Sequence, residues 1–304
     1  MTVGFIVLAH SSPSTLSELL RELEPYPVFL HIDRPALNQG YLHDANVRKN
    51  VNVKINPDSQ CLHWGGYSIV KTMMETLQFA LEKTPTSVEH FAFLSGQCFP
   101  LRPVQEFTDF LESTNTPVLC RAFKLEENGY ESSAMDISRI SQRHWLDGAV
   151  GHTKKVMPLM GSGTRRILSA STRFLKVRVP NGIHACGSQW VSVPRQLAHE
   201  LVQAYRTGRF AYLRQAYAPD EMAIPTYVYN THWSDMTPRR ALEYTGGKDV
   251  KVSHIPNFHW VRPDMDGFVT RDDLNSALLS NQYFIRKMLS SDQENAFETI
   301  RETW

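Results

Sequence analysis

The chain has 304 residues, 42% of them hydrophobic and 21% charged, the range of an ordinary globular protein with enough length for one large α/β domain. Lys and Arg number 32 against 31 Asp and Glu, so no global field favours nucleic acid or an acidic membrane surface, and an anionic ligand has to be held by local cations. Cys61, Cys98, Cys120 and Cys186 stand far apart with no Cys-x-x-Cys pair, which argues against a disulfide framework or a zinc site and for reduced thiols.

Residues 3–9 are continuously apolar, as in a parallel strand buried on both faces. This run has no basic segment before it and is too short to span a bilayer; with no Asn-x-Ser/Thr acceptor in the chain either, a cytoplasmic protein is expected. Thr15-x-x-Glu18 reads as a capping box for a helix carrying Leu16, Leu19, Leu20 and Leu23 on one stripe. Val28 to Ile32 predicts a second strand, closed by Asp33-Arg34-Pro35, and Val51 to Ile55 a weaker third. After the break Trp64-Gly65-Gly66, the spacing of Val70, Met74, Leu77 and Leu81 predicts a helix over 67–83, followed by a strand at His90 to Leu94. Such alternation implies βαβ units and a mainly parallel, Rossmann-like sheet, whose ligands bind at the carboxyl ends of the strands, here His10, Asp33 and Ser95-Gly96-Gln97. Residues 121–183 read as loops and short helices, and Gly161-Ser162-Gly163 among them as a connector, since no strand precedes it. A strand over 187–193 and a helix with Leu197, Leu201, Val202 and Tyr205 follow.

Three segments carry the chemistry: Leu62-His63-Trp64-Gly65-Gly66-Tyr67-Ser68, then Phe93-Leu94-Ser95-Gly96-Gln97-Cys98-Phe99-Pro100-Leu101, then Gly187-Ser188-Gln189-Trp190 with Ala218-Pro219-Asp220-Glu221. In this order and spacing the chain resembles the core-2/I-branching N-acetylglucosaminyltransferase family, glycosyltransferase family 14, which also contains the peptide xylosyltransferases. The resemblance covers roughly residues 1 to 290. It implies a GT-A type fold, here a single domain over 1–304 with a nucleotide-binding half (1–120) and an acceptor-binding, catalytic half (121–304). It also implies an inverting transfer from a UDP-sugar, UDP-GlcNAc first, to a glycan or glycolipid hydroxyl, with no divalent metal and no cofactor.

The resemblance makes the second acidic residue of the Pro-Asp-Glu segment, Glu221, the catalytic base. Pro219 suits a first helical turn, which places Asp220 and Glu221 at the positive end of a helix dipole that keeps Glu221 ionised, while Pro225 predicts a kink soon afterwards. The usual Asp-x-Asp metal motif is missing after the central strand, and Asp264-Met265-Asp266 comes late, in a turn, so cations have to stabilise the leaving diphosphate. The resemblance points to Lys287 for this, with Arg262 as the second cation and Arg271 its rival. Ala9, His10 and Asp33 are the expected uridine contacts, with Trp64 or Ser68 close by. Ser95, Gly96, Gln97 and Asp220 are acceptor or sugar contacts, and Trp190 is singled out among Trp145, Trp190, Trp233 and Trp260 as an apolar face for a sugar ring. At Cys98 the family often has Asp, so a small apolar thiol stands there instead.

Transfer of xylose or a hexose is the nearest alternative activity, and a silent carbohydrate binder on the same fold is a different one, disfavoured because a binder needs neither Glu221 nor Lys287. A nicotinamide oxidoreductase is excluded by His10-Ser11-Ser12-Pro13, which lacks the glycine-rich turn. An acceptor on a lipid carrier would bring the protein to the membrane surface peripherally.

Overall fold

Which way each apolar side chain of the first strand points decides how the molecule is layered. The computed structural model describes residues 2–38, 41–44, 52–58, 60–125, 137–143, 179–238, 257–262 and 267–304. Strand β1 (Thr2–Ala9) leads through helix α1 (Pro13–Glu22) to β2 (Val28–Ile32) and β3 (Val53–Ile55). Helix α2 (Tyr67–Lys83), β4 (Val88–Ser95), the short β5 (Phe99–Pro100) and α3 (Val104–Ser113) follow, then β6 (Ala122–Lys124), β7 (Ala185–Gly187), β8 (Ser192–Pro194), α4 (Arg195–Arg206) and α5 (Ala223–Tyr229). The chain closes with β9 (His259–Val261), α6 (Arg271–Leu278), β10 (Phe284–Arg286) and α7 (Ser290–Arg301).

The central sheet has the order β3-β2-β1-β4-β8. Its first four strands run parallel, and β8 pairs antiparallel with β4. Alternation along β1 sends Ile6 and Leu8 to one face, against Val70, Met74 and Leu77 of α2 and Leu197 and Leu201 of α4. Phe5 and Val7 go to the other, against Leu16 and Leu19 of α1, Phe107 of α3 and Phe284 of β10. Each such buried side chain contributes about 1.5–3 kcal/mol relative to exposure, which is why a continuously apolar strand can sit in the middle of the fold. The mixed α/β architecture, with a mainly parallel sheet flanked by helices, is the expected fold class.

Three local readings change. Helix α1 begins at Pro13, with Ser12 as N-cap in the left-handed region (φ 56) and no side-chain cap, so Thr15 is buried within the helix instead of capping it. Proline at the first helical position, where its missing N–H costs nothing, sets this start. A capping box occurs instead at the start of α6, between Thr270 and Asp273. The strand expected over 187–193 is split, because Gly187 belongs to β7 and pairs with Ala122 of β6, while only Ser192–Pro194 joins the central sheet. A Cβ on Gly187 would lie 1.7 Å from the Arg121 carbonyl oxygen, so that pairing admits glycine alone. The third reading concerns Pro225. It occupies the third position of α5, inside the first turn where its missing N–H has no helical acceptor, so no kink results.

The C-terminal part of the chain packs on the first half. β10 pairs with β5 antiparallel and with β9 parallel, and the Met288 N–H donates to the Gln97 carbonyl at 2.9 Å. Arg301 of α7 bonds Glu22 of α1 at 2.7 Å, and Trp304 Nε1 donates to the Leu101 carbonyl at 3.2 Å. Arg286 and Lys287 are thereby carried to the carboxyl ends of β1 and β4.

Candidate active site

At the ends of the parallel strands the backbone is drawn tight before any side chain reaches out. The Asp33 N–H donates to the Ala9 carbonyl at 2.8 Å, and the Gly96 N–H to the Leu8 carbonyl at 2.9 Å. A Cβ on Gly96 would stand 2.9 Å from the Ala9 Cβ, so the turn after β4 lies directly on the end of β1. Ala9 is buried, with its carbonyl taken up by Asp33. The Asp33 carboxylate accepts from the Leu62 N–H at 2.9 Å and so ties the loop before α2 across the sheet edge. Ser68 Oγ accepts from the His63 N–H at 3.0 Å, closing the same loop. His10 is exposed at the end of β1, with its pKa lowered by packing on its inner side and by Arg286, opposed by Asp33, and lowered further by Lys287.

The turn Ser95-Gly96-Gln97, expected to meet a sugar, is buried. Ser95 is 1% and Gln97 5% exposed. Ser95 Oγ accepts from the Gln97 N–H at 3.2 Å, and Gln97 Nε2 reaches Ser12 Oγ at 3.5 Å, so their polar groups are used internally. Cys98 Sγ lies 3.4 Å from His259 Nε2, both groups buried; burial pushes the Cys98 thiol up to about 11 and the imidazole well below its ordinary range. Trp190, 7% exposed, offers no open face to a sugar either, since the Arg286 guanidinium lies over its ring, 4.6 Å from the centroid.

The segment carrying the acidic pair is a single 3-10 turn, Pro219–Glu221, separated from α5 by its N-cap Met222 alone, so Glu221 stands just before that helix and not in its first turn as expected. Ala218 before it is held in the left-handed region (φ 48), where a residue with a Cβ is strained by about 1–3 kcal/mol. Its N–H donates to the Gly65 carbonyl at 2.9 Å, which fastens the turn to the Trp64-Gly65-Gly66 break. Trp64 itself is 74% exposed and meets Tyr217 edge-on, with centroids 5.8 Å apart. The counter-charge to Glu221 comes from Arg139, whose Nη2 lies 2.7 Å from Oε2.

Asp220 is buried, and its Oδ1 makes no hydrogen bond among the described residues. Burial, reinforced by the neighbouring Glu221 charge and opposed by Arg139 and Arg286, raises its pKa from 3.8 to about 7. Arg286 is likewise penalised by burial and sustained by Cys98, Asp220 and Glu221; its Nε is buried without a hydrogen-bond partner among the described residues. Arg121, also buried, is pushed down to about 10 by burial, with Glu221 opposing the shift. Arg262 is engaged elsewhere: its Nε pairs with Asp273 at 3.2 Å and its Nη1 donates to the Phe268 carbonyl at 2.8 Å. Arg271 lies on the exposed first turn of α6. The structure thus couples Arg286 to both Asp220 and Glu221 on one side and, with Lys287, to His10 on the other, and leaves Arg262 bracing α6.

A family model described as Core-2/I-Branching enzyme matches residues 3–260. The chain belongs to that family. Xylosyltransferase 2 of Canis lupus familiaris is 22% identical over 315 residues, covering 98% of this chain and 33% of the relative. Xylosyltransferase 1 of Homo sapiens is 24% identical over 115 residues, covering 36% of this chain and 12% of the relative. This Core-2/I-Branching chain therefore spans about a third of the length of the full-span curated relative, 33% by alignment. Among solved structures, apo mouse xyloside xylosyltransferase 1 shares 9% identity at a TM-score of 0.33, over 75% of this chain and 82% of that one, a likeness too distant to bear on the fold.

Three arginines of the site escape a reading of the Core-2/I-Branching motifs alone. Arg286 sits beside Lys287 in an otherwise apolar strand, and Arg121 interrupts the buried run Val118 to Phe123; a charge inside a buried strand was the available signal. Arg139 lies in the polar Ser138-Arg139-Ile140-Ser141 and carried no signal. Trp145, Gly161 to Arg166 and Asp264 to Asp266 lie outside the described residues. Among the described residues no three His, Cys, Asp or Glu side chains gather as a metal-binding group. None of the described helices is long and apolar enough to cross a membrane, and all four cysteines are free thiols.

A folded-state pKa above the ordinary value means that the folded protein holds the Asp220 proton more tightly than the unfolded chain. The stability this confers is complete below about pH 4 and is lost as pH rises through about 7. Asp220→Asn removes the titration, so its unfolding temperature should gain on the parent between about pH 4 and pH 8. Thermal denaturation at the two pH values checks this; a constant offset contradicts it.

Proposed function

We propose that this chain transfers a sugar from a UDP-sugar to a glycan hydroxyl with inversion of the anomeric centre and without a divalent metal. The observation that carries the reading is the convergence of the Asp220-Glu221 carboxylates and the Arg286-Lys287 cations at the carboxyl ends of β1 and β4. An inverting displacement needs opposite charges at its two ends. A carboxylate takes the acceptor proton on one side, and positive charge stabilises the departing diphosphate on the other.

Glu221 is the side chain of the pair that reaches the surface, 34% exposed, and it serves as the base. As the acceptor oxygen bonds to the anomeric carbon, its proton passes to Glu221 and the bond to UDP breaks with its electron pair on the phosphate oxygen. Arg286, spread over Trp190 and without a hydrogen-bond partner at Nε among the described residues, is the better second cation than Arg262, which is engaged by Asp273. Lys287 supplies a point charge beside it. Ala9, His10, Asp33 and Ser68 line the donor end of the cleft, and Trp64 stands exposed next to the base segment. With the diphosphate held by side-chain cations, the transfer needs no metal bridge.

The donor is UDP-xylose or UDP-GlcNAc. Family membership allows either, and the xylosyltransferase names of the matched relatives favour xylose. The acceptor is a glycan, on a glycolipid if the protein works at a membrane surface in the cytoplasm.

A UDP-release assay with each donor in turn tests the reading. Glu221→Gln should lower kcat about 10²-fold or more with UDP affinity nearly unchanged, and near-normal turnover removes Glu221 from its role. Parent turnover should persist in excess EDTA; loss with recovery on adding Mn²⁺ refutes the metal-free reading. Arg286→Ala should weaken UDP binding by about tenfold or more in calorimetric titration, while Arg262→Ala should leave it within about threefold. The reverse order reinstates Arg262.

A further inference from the structure

Glu221 has little of its own to hold it. The turn that carries it is closed by two backbone bonds, from the Glu221 N–H to Ala218 at 3.2 Å and from the Met222 N–H to Pro219 at 3.0 Å, and it follows the strained Ala218. A carboxylate on so short a turn samples several rotamers unless another element fixes it.

Arg139 reaches this turn from the short helix Ser138–Ser141. Its Nη2 donates to Glu221 Oε2 at 2.7 Å and to the Ala218 carbonyl at 3.4 Å. Its Nε donates to the Tyr217 carbonyl at 3.4 Å, and its Nη1 reaches Cys186 Sγ at 2.9 Å on β7. The guanidinium lies 5.6 Å from the Tyr217 ring centroid, and the Tyr217 N–H donates back to the Arg139 carbonyl at 2.8 Å. One buried side chain therefore spans β7, the two successive positions Tyr217 and Ala218 that lead into the base segment, and the carboxylate itself. The Arg139 side chain is 6% exposed against 34% for Glu221, so the carboxylate is gripped from its buried side and its outer side is left to the cleft.

We propose that Arg139 is the positioning residue for the base: it commits one carboxylate oxygen of Glu221 to a fixed fork and leaves the other for the acceptor proton. Only a guanidinium has donors in several directions of one plane, which this set of acceptors requires; a lysine ammonium in the same place keeps the charge and loses the geometry. The inference rests on Glu221 being the base.

The test uses the full chain, UDP for binding and whichever of UDP-xylose and UDP-GlcNAc is turned over. In Arg139→Ala, kcat should fall about 10²-fold while UDP affinity stays within about threefold, because the cations that hold the diphosphate are untouched. Guanidinium ion added at tens of millimolar should restore about tenfold of the lost kcat in Arg139→Ala, should do nothing for Glu221→Gln, and urea at the same concentration should restore nothing. Arg139→Lys should fall between parent and alanine variant, and it decides the matter if the alanine variant does not fold. Unchanged kcat in either Arg139 variant overturns the inference, as does a parallel loss of kcat and UDP affinity or equal rescue by urea. If Glu221→Gln is as active as the parent, the base assignment fails and the positioning role falls with it; if only the Arg139 variants disappoint, the base assignment stands alone.

Discussion

Charge compensation at the carboxyl end of the parallel sheet is the constraint to which the rest of this structure answers. Buried ionised groups cost several kcal/mol each unless partners meet them with good geometry. Here Asp220 and Glu221 are surrounded by Arg121, Arg139 and Arg286, each largely withdrawn from water and each electrostatically coupled to the acidic pair. The protein does not neutralise every group fully. Asp220 is driven towards its neutral form, and Arg286 is left with an unpartnered buried nitrogen among the described residues. Such incomplete satisfaction is expensive for stability and fits a place where a charged ligand completes the arrangement.

The scaffold serves this arrangement through the backbone. Gly96 sits on the end of β1, Gly187 approaches the Arg121 carbonyl, and Ala218 and Ser12 both take left-handed conformations around the cleft. Strained or crowded positions persist only where surrounding contacts over-determine them, and here those contacts are the apolar layers on both faces of the sheet. The C-terminal strand belongs to the same logic. Phe284 is anchored among Phe5, Phe107 and Phe258, and that anchoring points the next residues, Arg286 and Lys287, over the strand ends.

Much of the framework was legible from residue patterns. The continuous apolar run of β1, the four-three-four spacing that becomes Tyr67–Lys83, and the strand ends at His10, Asp33 and Ser95 follow from periodicity alone. The three motif segments led to the Core-2/I-Branching family, to which the chain belongs. Less legible was what each polar residue does. Ser95 and Gln97 spend their groups inside the turn, Asp33 holds a loop through Leu62, and Arg262 serves Asp273 at the start of α6. Asp33 meets Leu62 across 29 residues and Gln97 meets Ser12 across 85, and partners so far apart leave no trace in local spacing.

By itself, then, the sequence determined the parallel α/β framework, the family, and an acidic pair and a cation near the C-terminus, because these are written in local periodicity and in contiguous motifs. Tertiary structure alone decided which cation faces the acidic pair and which residue grips the carboxylate. Arg139 and Glu221 are joined across |i−j| = 82, and Arg286 meets Trp190 and the acidic pair from the far end of the chain. The physical reason is that charge compensation acts through space over a few ångströms, whereas sequence patterns record only neighbours along the chain.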